Sequence, residues 1–263
     1  MTRTDLRARI RHVSQPDSPT WSDIASWYDE LVQAGSGPHE TALECTLGLL
    51  GDVRGLRVLD LACGQGLVSR ALAGVGASEV LGVDSLAAML EIAVRHGGPD
   101  TLRYVLDDAQ VLDTLDDASF DAATCQLGLM DIPDLAATLT AVRRVLRDRG
   151  VFVFVIGHPC FLAPNAVTLI DEEGHAGRWI GDYFSERFWR SQNPHGVRRA
   201  GNHHRMLSTY LNALAENGFA VQRTEEPRAS VRLATQQPEY VSVPIFFGVR
   251  SRTSPSATTT WVA

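Results

Sequence analysis

The chain has 263 residues, with 31 acidic against 24 basic side chains and a formal net charge of −7. That balance argues against a track for nucleic-acid phosphates, which needs an excess of basic side chains on one face, and charged residues interrupt every apolar segment before it reaches the length that spans a bilayer. The expected partner is therefore a small molecule, with neither nucleic acid nor membrane, and the expected assembly is a monomer or homodimer.

From the start of the chain, residues 1–20 hold several Arg and two Pro with few large apolar side chains, and are expected to form a flexible leader. They lack the apolar centre of a signal peptide. The four cysteines, Cys45, Cys63, Cys125 and Cys160, form no C-x-x-C pair, so the expected location is the reducing cytoplasm. Residues 21–250 read as one domain and 251–263, rich in Ser and Thr, as a flexible tail. Within the domain, short β-branched runs alternate with helical periods, the pattern of βαβ units around a parallel sheet.

The spacing predicts strands at 57–61, 80–83, 102–106, 120–125, 151–156, 219–224 and 242–249. Helices are expected at 69–73, 86–95 and 135–146, with a later one that begins near Gly196 and closes at Asn217-Gly218. The last two strands are joined by a Pro-containing loop too short for a crossover helix, so that pair is expected to be antiparallel. The fold class is α/β, a Rossmann-like doubly wound sheet of seven mostly parallel strands with an antiparallel last strand. Two segments stand outside the repeat, a helical lid at 21–50 and an inserted cap at about 157–202. In open α/β sheets, ligands bind beyond the carboxyl ends of the strands, where such insertions cover the site.

The segment VLDLACGQGLVSRAL, residues 58–72, runs from the first strand through a Gly-x-Gly turn into a helix. Turns of this kind serve nicotinamide, flavin and adenosyl cofactors alike. Ser69 stands where a dinucleotide fingerprint prefers Gly or Ala. Asp60, ahead of the turn, would repel the phosphates of a dinucleotide and suits a ligand that presents an ammonium group.

The same order of residues continues along the chain. Asp60, Ala62, Gly64 and Gly66 surround the first turn, and Asp84, Ser85 and Met89 follow the second strand. Asp108 and Ala109 follow the third, with Asp107 the less favoured neighbour, and Gln126 ends the fourth. This pattern resembles the class I S-adenosylmethionine-dependent methyltransferases, in part those of menaquinone and ubiquinone synthesis. The resemblance implies S-adenosylmethionine as cofactor. Asp60, Gly64 and Gly66 would hold its amino-acid part, Asp84 its ribose, and Met89, Asp108 and Ala109 its adenine, with Gln126 near the methionine chain. WSDIASWYDEL resembles the family's lid helix, which would bring Trp27 and Tyr28 near the sulfonium.

The cap is the part the resemblance does not reach. His158 follows the fifth strand, and His203 and His204 are expected to return to the same mouth. Imidazole titrates near neutral pH, so these three are the catalytic candidates. A His-x-Cys pair with a distant His-His is not a zinc spacing, and no metal is expected. Trp179, Tyr183, Phe184, Phe188 and Trp189 read as a small core of the cap, with a stacking wall for a planar acceptor as the alternative, and Asp171, Glu172 and Glu173 as a solvated loop. The expected reaction is methyl transfer to an oxygen, nitrogen or carbon of a small molecule of secondary or quinone-like metabolism. The alternatives are cyclisation or cleavage of the cofactor itself, or cofactor binding without catalysis.

Overall fold

A computed structural model describes residues 19–254; most of the expected leader and the later part of the expected tail lie outside them. The chain enters through two helices, α1 (Trp21–Gln33) and α2 (Gly37–Leu50). Thr20 starts α1 because Thr20 and Asp23 cap each other's backbone amides, the Asp23 amide donating to Thr20 Oγ1 and the Thr20 amide to Asp23 Oδ2 at 2.8 Å.

The sheet contains β1 (Arg57–Leu61), β2 (Glu79–Asp84), β3 (Leu102–Leu106), β4 (Phe120–Gln126), β5 (Leu146–Gly157), β10 (Phe219–Glu225) and β11 (Phe246–Thr253). Its order is β10-β11-β5-β4-β1-β2-β3. The five strands from β5 to β3 are parallel, and β11 runs antiparallel to both β5 and β10. Between strands lie α3 (Leu67–Gly74), α4 (Ala87–Arg95), α5 (Leu135–Val145) and α6 (Leu207–Glu216). β1 is central and covered on both faces, which is why Val58, Leu59 and Leu61 form a nearly unbroken apolar run with no exposure. One face packs Leu59, Phe152, Phe154, Leu139, Val142 and Tyr210, and the other Val58, Leu72, Val80, Val153, Val155 and Leu49. Successive residues 152 to 155 alternate between these two cores, as strand geometry requires.

The lid helices are tied to the body at both ends of the domain. α1 packs Ala25 and Tyr28 against Met89 and Ile92 of α4. α2 lies over β5 and β11, where Gly248 leaves room for Leu49 and Cys45, and Arg250 donates to the carbonyls of Leu49 and Leu50.

Several boundaries differ from the sequence expectation. β11 covers 246–253 and not 242–249, because Pro244 has no amide hydrogen to donate to the ladder. Ser251 to Thr253 therefore belong to the sheet and not to a tail. The β10–β11 connection does contain a helix, α7 (Val231–Gln236), whose Gln236 accepts from the Gly37 amide at the start of α2. The late helix begins at Leu207; before it come a 3-10 turn at Val197–Ala200 and a short strand, β9 (Asn202–His204).

The cap consists of two small ribbons. β6 (Val167–Ile170) pairs with β7 (Ala176–Trp179), and β8 (Arg187–Trp189) with β9. Its aromatic side chains do not form the expected core, since Trp179, Phe184 and Phe188 are 42, 84 and 46 % exposed. A two-stranded ribbon has too little second surface to bury such rings.

Candidate active site

The residues after β1 turn through three left-handed positions, Ala62, Gly64 and Gly66, with φ of 51°, 52° and 81°. Gly66 is obligatory, because a Cβ there would strike the Tyr104 ring and the Arg70 guanidinium. At Gly64 the same Cβ would enter open space. Asp60 lies beneath the turn, 1 % exposed, and accepts a hydrogen bond from Ser69 Oγ. Burial pushes its carboxyl up to about 7 against that hydrogen bond.

Asp84 ends β2. Its carboxylate accepts from the Gly64 amide at 2.8 Å and from the Leu86 amide at 2.9 Å, while burial raises its pKa. After β3 the two neighbouring acids have separate tasks. Asp107 braces its loop by accepting from the Thr114 amide and hydroxyl and from the Asp108 amide. Asp108 accepts from the Gln110 amide and side chain. At the end of β4, Gln126 Oε1 accepts from Thr46 Oγ1 of α2 at 2.9 Å.

These strand ends open into a cavity of about 360 Å³ and an adjoining pocket of about 130 Å³, which share Ala62, Asp84, Ser85, Asp131 and Ile132. Of the residues singled out from sequence, Tyr28, Asp60, Ala62, Gly64, Asp84, Ser85, Met89 and Gln126 line the large cavity. Asp108 and Ala109 line the smaller pocket, together with Asp107. Gly66 lines neither and serves the turn. Trp27 is also absent from the lining. The Arg199 guanidinium covers its ring at 3.8 Å, and the lid indole at the cavity is Trp21.

The three catalytic candidates do not reach this cavity. His158 is 2 % exposed, and its two ring nitrogens are taken by Glu226 Oε1 at 2.8 Å and the Cys160 amide at 3.2 Å. His204 Nε2 meets the Tyr183 carbonyl at 2.7 Å, and His203 packs its ring on Phe188. His203 and His204 line only a separate crevice of about 20 Å³ behind Met130 and Arg198. Desolvation by burial lowers the pKa of all three. They hold the root of the cap in place.

The histidine that does line the cavity is His39, on α2. Its Nε2 is 2.8 Å from Tyr28 Oη and its Nδ1 is 2.8 Å from Ser36 Oγ. Burial pushes it down to about 4, so the ring is neutral. Asp131, after β4, is the second residue the sequence reading missed. Its Oδ1 lies 3.6 Å from Arg198 Nη1, and burial pushes the carboxyl up to about 7 despite that guanidinium and the neighbouring Trp21 indole. Arg190 and Ala200 of the cap complete the wall. The Pro38-His39 pair at the start of α2 and the Met130-Asp131 pair after β4 were the available signals, but neither matches a motif by spacing alone.

A family profile described as a methyltransferase domain matches residues 59–154. The crystal structure of an S-adenosylmethionine-dependent methyltransferase from Mesorhizobium loti superposes with a TM-score of 0.68 at 34 % identity, covering 83 % of this chain and 99 % of that one. The chain belongs to the class I S-adenosylmethionine-dependent methyltransferases. A demethylmenaquinone methyltransferase of Clavibacter sepedonicus is 30 % identical to this methyltransferase over 208 residues, 73 % of this chain and 82 % of the relative. A ubiquinone biosynthesis O-methyltransferase of Psychrobacter arcticus is 35 % identical over 134 residues, 49 % of each chain. The cofactor of this methyltransferase is S-adenosylmethionine. Among the described residues no helix is long and apolar enough to cross a membrane.

Proposed function

We propose that this methyltransferase methylates a small aromatic acceptor of the quinone-precursor kind, on an oxygen, nitrogen or carbon, in the space between lid and cap. The observation that carries this reading is the pair of adjoining cavities, lined by acids from three successive strand ends, Asp60, Asp84 and Asp108, and by Tyr28, His39 and Arg190. The two quinone-biosynthesis relatives support the acceptor class.

The residues present fit the cofactor. Open space at Gly64 lets a ligand approach the backbone closely, and Asp131 brings a further buried carboxyl to the cavity wall. Asp60 would take the ammonium of the amino-acid part, either directly or through the turn, and Asp84 the ribose hydroxyls. Ala109, Met89 and Asp108 would hold the adenine, and the Gln126 carboxamide nitrogen would face the methionine chain. When bound, the cofactor supplies a methyl group on a sulfonium whose leaving group is a neutral thioether.

The protein's part is placement. Ala62, Gly64 and Asp84 would hold the donor, and Trp21, Tyr28 and Arg190 would restrict the acceptor, which is the placement and exclusion of water that methyl transfer needs. A weak acid as acceptor gains from losing its proton.

The test is turnover of the purified full chain with S-adenosylmethionine and a panel of catechols, hydroquinones and their methoxy derivatives, followed as S-adenosylhomocysteine formation and methylated product. Acceptor-dependent S-adenosylhomocysteine supports the reading. Methylthioadenosine formed with no acceptor present would replace it with cleavage of the cofactor.

A further inference from the structure

The lid carries a hydrogen-bonded line of three side chains, Tyr28, His39 and Ser36, that begins at the cavity wall and ends inside the protein. Tyr28 is fixed on both sides of its ring, edge-on to Trp21 at 5.4 Å and to His39 at 5.2 Å. Ser36 precedes α2, where a serine hydroxyl ordinarily caps the helix, yet it makes no cap hydrogen bond and faces His39 Nδ1.

The direction of the line follows from the chemistry of its members. A phenol is a far stronger acid than a neutral imidazole N–H, and an imidazole nitrogen is a far better acceptor than a phenol oxygen. Two neutral arrangements fit the distances: Tyr28 donating to Nε2 with Nδ1–H donating to Ser36 Oγ, or Nε2–H donating to Tyr28 Oη with Ser36 donating to Nδ1. The first pairs the strongest donor of the line with its strongest acceptor and is therefore the favoured one. The burial that keeps His39 neutral forbids the doubly protonated ring, which would donate from both nitrogens. With its own hydrogen turned toward the lid, Tyr28 Oη has only lone pairs to present to the cavity.

We propose that Tyr28 is a hydrogen-bond acceptor built into the cavity wall, aimed by His39 as a positioning residue, and that it receives a hydrogen-donating group of the bound ligands. This rests on the proposed function for what occupies the cavity. Two sources share the chemistry, the polarised C–H of the transferring methyl group and an O–H or N–H on the acceptor. In the second case alone, a carbon nucleophile with no donor beside it would gain nothing from Tyr28.

The first experiment requires no turnover. Full-length protein with ¹⁵N-labelled histidine is saturated with S-adenosylhomocysteine, and long-range ¹H–¹⁵N spectra are recorded from pH 6 to 8. The expected result is a His39 ring protonated at Nδ1 only, unchanged over that range, with the Nε2 resonance moving to the non-hydrogen-bonded position in Tyr28→Phe. A ring protonated at Nε2, or at both nitrogens, would overturn the proposal, because Tyr28 would then be free to donate into the cavity.

The second experiment separates the sources by calorimetry on the wild type, Tyr28→Phe, His39→Ala and His39→Gln, the last retaining an acceptor for the tyrosine hydrogen. If the methyl is the donor, the preference for S-adenosylmethionine over S-adenosylhomocysteine falls about two- to fivefold in the first two variants, the scale of one C–H···O contact, and recovers in His39→Gln. If the acceptor is the donor, that ratio holds and catechol binding to the S-adenosylhomocysteine complex shows the same pattern. No change in either quantity would sink the proposal, whether or not a substrate has been found, whereas absence of turnover alone counts only against the proposed function.

Discussion

The Asp84 carboxylate and the Gly64 amide are joined at 2.8 Å, so that the acid ending one strand positions the glycine turn that follows its neighbour. The two halves of the cavity floor are thus one unit, and a change at Asp84 acts on ligand and turn together.

Replacing Asp84 with Ala is expected to weaken S-adenosylhomocysteine binding by about 1.5–3 kcal/mol, the size of a lost charge-assisted hydrogen bond. Asp84→Asn keeps an acceptor for the Gly64 amide and should lose less. Isothermal calorimetry reads both, and equal losses in the two variants would mean that charge alone matters there.

Gly64 and Gly66 are two residues apart, yet they should fail differently. Gly66→Ala forces a methyl group into Tyr104 and lowers Tm. Gly64→Ala meets no protein atom, costs about 1 kcal/mol of backbone strain, and places its methyl where a ligand passes. Melting curves with and without S-adenosylhomocysteine separate the cases: the first variant melts early in both, and the second loses most of the ligand-induced shift.

Asp60 and Asp131 hold their protons up to about 7 in the folded protein, whereas an unfolded Asp ionises near pH 4. Between those values the native state binds more protons than the unfolded chain, so each group makes unfolding easier as pH rises from about 4 to about 7. Asp131→Asn removes that penalty. The variant should match the wild type near pH 4 and gain on it steadily up to about pH 7 in ligand-free melts. Because an ionised Asp60 is the form that suits an ammonium group, S-adenosylmethionine binding should tighten over the same interval and release protons, measurable in buffers of different ionisation enthalpy.

His158→Ala should leave cofactor affinity intact and lower stability by about 1–2 kcal/mol, since it removes a buried ring hydrogen-bonded to Glu226 and the Cys160 amide. Denaturant melts and calorimetry on one preparation suffice, and a cofactor affinity lost along with stability would restore His158 to the site.

The strand ends were legible in the sequence because their residues have local reasons to be there. Asp60, Gly64, Asp84 and Asp108 sit at fixed distances from apolar runs whose period marks them as strands, and the order of those runs dictates which ends meet. His39 and Asp131 were not legible for the opposite reason. Each gains its role from a partner set by tertiary packing, Tyr28 across a helix turn in one case and Arg198 of the cap in the other. The cap misled most, since its His residues carry reactive side chains in a segment with no periodicity to show which way they point. The shift of the last strand by four residues reflects Pro244, which ends an otherwise strand-like run in a connection.

Arg250 reaches back about two hundred residues to the carbonyls of Leu49 and Leu50, and Gly248 lies directly under Leu49. The helix that carries His39 thus rests partly on a strand about two hundred residues further along the chain, and partly on β5. The acids of the site come from strand ends in the first half of the domain, whereas one support of the wall opposite them comes from β11. A substitution at Gly248 or Arg250, far from the cavity in sequence, is therefore felt first as a loosened lid.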